Sequence, residues 1–113
     1  MKTAWLLRDG EVVCALEIAN TVYDRSKGLL GRTSYEGAMY LPHVRSVHTL
    51  MMRFPIDVAF IDKKLEVVGV QRLAKWRIAL PRRRTHSIIE AEAGSFERWG
   101  LAVGDRLEIR EIS

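Results

Sequence analysis

The stretch from His48 to Asp62 constrains the fold of this chain more than any other. His48-Thr49-Leu50-Met51-Met52-Arg53-Phe54-Pro55 leads into Ile56-Asp57-Val58-Ala59-Phe60-Ile61-Asp62. The apolar run reads as a strand, and Asp62-Lys63-Lys64 turns it into a second strand over residues 65–71. A histidine, an arginine and a carboxylate therefore stand at the mouth of a fixed element, which is how small domains build ligand pockets. Asp57, between Ile56 and Val58, needs a partner, because an unpaired buried charge is costly.

The other segments are short. Residues 4–8 and 12–19 read as strands joined by Asp9-Gly10, a strong hairpin signal. Residues 86–91 and 106–112 supply two more, the last with Leu107 and Ile109 alternating against Arg106, Glu108 and Arg110. Residues 22–30 form a short helix capped by Asn20 or Thr21 and ended by Gly28 or Gly31. Residues 95–99 form another, capped by Ser95 and stopped by Gly100. The expectation is one α+β domain over residues 1–113, rich in strands, with two short helices. A partly closed small barrel would suit the 113-residue length.

Charge is unevenly placed. Arg72, Lys75, Arg77, Arg82, Arg83 and Arg84 lie in a stretch without an acidic residue. They account for six of 18 basic residues, and the remaining basic residues are fewer than the 14 acidic ones. Such a patch can meet nucleic acid or another acidic partner, with Trp76 available for base stacking. A solvated arginine-rich loop is the plainer reading. The single cysteine, Cys14, excludes an internal disulfide and alternates with Val12, Leu16 and Ile18, so it reads as an inward-facing small hydrophobe. No run is long enough to span a membrane, and Arg8 and Asp9 interrupt the N-terminal apolar residues too early for a signal peptide. The expectations are a cytoplasmic location, no membrane partner, no metal site and no cofactor.

Three blocks carry a resemblance. They are Arg25-Ser26-Lys27-Gly28-Leu29-Leu30-Gly31-Arg32; Gly37-Ala38-Met39-Tyr40-Leu41 followed by Met52 to Asp62; and Ile88-Ile89-Glu90-Ala91-Glu92-Ala93-Gly94 through Gly100 to Gly104-Asp105. In order and spacing they resemble the bacterial and archaeal family called domain of unknown function 192. Where that family has Met-Lys-Asn-Thr, this chain has Met52-Arg53-Phe54-Pro55. The resemblance implies a fold neighbourhood and a site, and no reaction.

The site expected from these residues is a pocket between the turn at 28–32 and the strand beginning near Ile56. Arg25, Arg32, His48, Arg53 and Asp57 line it, with Met52 and Phe54 as apolar wall. Three arginines favour a small anionic ligand, because guanidinium forks match carboxylate and phosphate. The plain alternative is a set of structural ion pairs, with an arginine holding Asp57 or Glu90. An enzyme would use His48 as acid or base, Asp57 to orient it and Arg53 against developing negative charge. No serine or cysteine nucleophile lies in a recognisable motif beside them. His43, His48, Met51 and Met52 suit Cu(I) by ligand type but fit no metal spacing, and methionines are more often core filler. Glu90 and Glu92 read as a solvated strand face.

Overall fold

Asp9 and Gly10 make the turn that their identities demand. The computed structural model describes residues 2–29, 35–49 and 51–112. In it both turn residues have positive φ, 54° and 80°, as a two-residue hairpin turn matched to strand twist requires. They join β1 (Lys2–Arg8) to β2 (Glu11–Ile18), an antiparallel pair with a bulge between Leu6 and Leu7. Thr21 then caps α1 (Val22–Lys27), its Oγ1 accepting from the Asp24 amide at 3.0 Å. The chain returns as β3 (Ala38–Pro42), which runs parallel to β2, a pairing that needs a crossover connection of this length.

A two-residue strand β4 (Val47–His48) precedes β5 (Ile56–Ile61) and β6 (Val67–Leu73). The remaining elements are β7 (Ile78–Ala79), β8 (Ser87–Glu92), α2 (Ser95–Trp99) and β9 (Leu107–Glu111). Seven strands form one sheet in the order β6-β5-β8-β3-β2-β1-β9, while β4 and β7 pair as a separate ribbon. The domain is strand-rich, and the sheet does not close into a barrel. Among the described residues its two ends are linked by an isolated Glu66–Arg106 bridge, with backbone hydrogen bonds from the Val67 amide to Asp105 and from the Leu107 amide to Leu65, both 2.9 Å.

Strand alternation divides the core in two. Met39, Leu41, Ile56, Val58, Phe60 and Ile88 face one layer, together with Leu29, Met52 and Phe54. Ala38, Ala59, Ile61, Ile89 and Ala91 face the other, where α2 contributes Phe96. All six residues of β5 are buried, so both faces of the sheet are covered at this strand.

Asp57 belongs to the second layer. Its Oδ2 accepts from the Gly94 amide at 2.9 Å and the Phe96 amide at 3.1 Å, and its Oδ1 takes Arg72 Nε at 3.2 Å. The α2 cap is thus a distant carboxylate and not Ser95 as expected. Ser95 is buried inside the helix, and its Oγ accepts from Arg98 at 3.1 Å. Cys14 is half-buried, and burial pushes its thiol up to about 12, which removes it as a nucleophile at neutral pH.

Candidate functional site

The first layer is not fully filled. A cavity of about 410 Å³ lies between the end of α1, the segment from Val44 to Met52, and the sheet at Leu41 of β3 and Glu90 of β8. Val22, Leu29, Leu41, Val44, Val47 and Met52 give it an apolar wall, and Arg25, His48 and Glu90 are its ionisable lining. This mixture of apolar wall and few polar groups is that of small-molecule sites.

Glu90 is the unusual member. It pairs with Val58 across β8 and β5 and with Met39 across β8 and β3, so it stands in the centre of the sheet among first-layer residues. It is 3% exposed, and its Oε1 has no hydrogen-bond partner among the described residues. Burial raises its carboxyl from 4.5 to about 7, against the opposing pull of the Leu29 amide. The group is therefore poised to be neutral or charged near neutral pH according to what faces it.

Gly28 explains how helix and carboxylate come so close. It ends α1 with φ of +53°, its amide donating to the Asp24 carbonyl. A β-carbon there would lie 2.9 Å from Glu90 Oε1. Glycine satisfies both demands, the left-handed turn and the missing side chain.

Of the residues expected to form the pocket, the structure brings together Arg25, His48 and Met52. Asp57 lies on the opposite face of the sheet, engaged by Arg72 and α2, because strand parity turns it away from Val58 and Glu90. Arg53 is exposed and Phe54 packs in the first-layer core; neither lines the cavity. Arg32 lies outside the described residues. The arginine that holds Asp57 is Arg72, from the basic segment. Of the residues suited to Cu(I) by ligand type, His43 meets His86 edge-on at 4.9 Å, and Met51 is 70% exposed.

Glu90 is buried, and not part of the solvated face that alternation suggests. Alternation within residues 88–92 is genuine, but α1 and the Val44–Met52 segment cover the face that Glu90 occupies. The signal that could have found it is the one that singled out Asp57, a lone carboxylate inside an apolar strand.

The basic segment is partly committed to the fold. Arg72 pairs with Asp57, Arg84 pairs with Asp62 at 3.6 Å, and Arg82 lies 4.7 Å over the Phe60 ring while reaching Gln71. Lys75, Arg77 and Arg83 are exposed.

Comparison with known proteins agrees with the fold and the motif order. The model of the family DUF192, described as an uncharacterized ACR, matches residues 4–109, and the chain belongs to this family. A UPF0127 protein of Pyrococcus furiosus is 44% identical over 63 residues, covering 56% of this chain and 54% of that protein. A UPF0127 protein of Thermococcus sibiricus is 30% identical over 99 residues, covering 82% of this chain and 64% of that protein. The match thus spans less than two thirds of either relative. A crystal structure of a protein of unknown function from Novosphingobium aromaticivorans superposes with a TM-score of 0.76 at 21% identity, over 96% of this chain and 84% of that one. That likeness concerns the fold alone. No helix among the described residues is long and apolar enough to cross a membrane.

Proposed function

We propose that this domain is a non-enzymatic binding module whose cavity takes a small amphipathic ligand. The observation that carries this reading is the buried Glu90 carboxyl, which lines an apolar cavity with one oxygen unpartnered. A buried acceptor without a donor costs on the order of 1–3 kcal/mol, which makes Glu90 the lining group with most to gain from a ligand donor. The ligand has an apolar body against Leu41, Val44 and Met52 and a donor, such as an amine, at Glu90. Arg25 remains as the place for an anionic group. An anion alone is disfavoured, since the three arginines expected to attract it are reduced to Arg25 among the described lining.

The same geometry favours binding over a reaction at His48. The Asp57 carboxylate that would orient His48 is occupied by Arg72 and α2. Cys14 is held protonated by burial.

The test is a thermal-shift screen with short aliphatic amines, the matching carboxylates, and amino acids that carry both groups. A ligand that binds only the folded state raises apparent stability by mass action. Compounds with both groups should raise the midpoint most, and Glu90→Gln and Arg25→Ala should each weaken the effect. Equal shifts in wild type and both variants would place binding elsewhere and end the proposal.

A further inference from the structure

We infer that the β4–β7 ribbon docks this domain onto an anionic lipid surface. Ala79 of β7 is fully buried, so its neighbours Ile78 and Leu80 point the other way and are 61% and 76% exposed. Trp76 is 58% exposed, and Met51 stands at 70%. Side chains of this size do not stand out together on a typical surface without a partner.

The backbone holds them there. The Thr49 carbonyl accepts from the amides of Met52 and Trp76, both at 3.0 Å, and the Thr49 amide donates to Arg77 at 2.7 Å. The buried Thr49 Oγ1 donates to the Ala74 carbonyl at 2.5 Å and accepts from the Arg77 amide at 2.8 Å. Trp76 and Met51 both have left-handed backbones, φ of 61° and 63°. Thr49 therefore ties the two turns that carry the exposed Met51 and Trp76.

Charge chooses the partner. No acidic residue occurs in residues 37–56 or 67–89, the segments that contain and flank both ribbon strands. Arg45, Arg53, Lys75, Arg77 and Arg83 are exposed there. An apolar ridge with tryptophan among cations matches the boundary of an anionic bilayer, where indole rings sit at headgroup level. A second copy of this chain would set like charges against each other. A nucleic acid would leave Met51, Ile78 and Leu80 with nothing to stack upon. The expectation of no membrane partner came from the lack of a spanning run, which does not bear on surface contact.

The experiment is vesicle sedimentation of the full chain at low salt. Phosphatidylcholine vesicles containing phosphatidylglycerol should pellet the protein, and phosphatidylcholine alone should not. Binding should shift tryptophan emission to the blue, and Trp76→Phe should remove the shift. Lys75→Gln and Arg77→Gln should each weaken binding about fivefold, and Ile78→Ser with Leu80→Ser should reduce it further while circular dichroism stays native. No pelleting overturns the inference, as does binding unaffected by Ile78→Ser with Leu80→Ser. Concentration-dependent dimerisation lost in that double variant, without vesicle binding, also overturns it and assigns the ridge to self-association.

Discussion

Gly28 and Glu90 approach so closely that a β-carbon on the glycine would lie 2.9 Å from the glutamate Oε1. The end of α1 and the centre of β8 are thereby locked together at the cavity floor. Gly28→Ala must both strain a backbone at φ +53° and displace a buried carboxyl. Chemical denaturation should show a loss of about 1–3 kcal/mol. The same substitution in a Glu90→Ala background should cost less, because the carboxyl it displaces is gone.

Glu90 should make stability fall as pH rises. Its folded pKa is raised, so the folded state binds the proton more tightly than the unfolded state does. Below 4.5 the group is protonated in both states and imposes no penalty; between 4.5 and about 7 the unfolded state ionises first and stability declines; above that the penalty is constant. Glu90→Gln should remove this decline and be more stable than wild type at pH 8. Denaturation midpoints measured from pH 4 to 8 in both proteins provide the check.

Asp57 should matter more to folding than to binding. Asp57→Ala removes the acceptor for the Gly94 and Phe96 amides and strands Arg72, and should cost about 2–4 kcal/mol. Arg72→Ala should cost about 1 kcal/mol or less, because that side chain is 57% exposed and water screens the pair. Equal losses from the two variants would mean that the ion pair, and not the α2 cap, is the important contact.

Cys14 should react slowly with a thiol reagent at neutral pH and rapidly once the protein is unfolded. A thiol raised to about 12 by burial presents little thiolate. Fast labelling of the native protein would show that β2 opens readily.

Local chemistry made several elements legible. Asp9-Gly10 announced the first hairpin, Asn20-Thr21 the start of α1, and Gly100 the end of α2. What sequence could not supply was pairing at a distance. The α2 cap comes from Asp57, 39 residues before Phe96 in the chain, so Ser95 took its place in a local reading. β3 lies parallel to β2 across a long crossover, and β4 and β7 have two residues each, too few for a periodic signal. The pocket was half legible. Arg25, His48 and Met52 do line one cavity, but Glu90 was missed because its burial depends on what covers the sheet, and alternation within β8 says nothing about that.

The titration of Glu90 itself tests the account most directly. Carbon-13 NMR of glutamate-labelled protein, assigned with Glu90→Gln, would follow this carboxyl in the free protein and with a short aliphatic amine at saturation. The midpoint should lie near 7 in the free protein and move down when the amine places a positive charge beside the carboxyl. A midpoint in the ordinary carboxylate range, or one unmoved by every amine tested, would contradict the claim that Glu90 is an unpartnered acceptor at the floor of a ligand cavity.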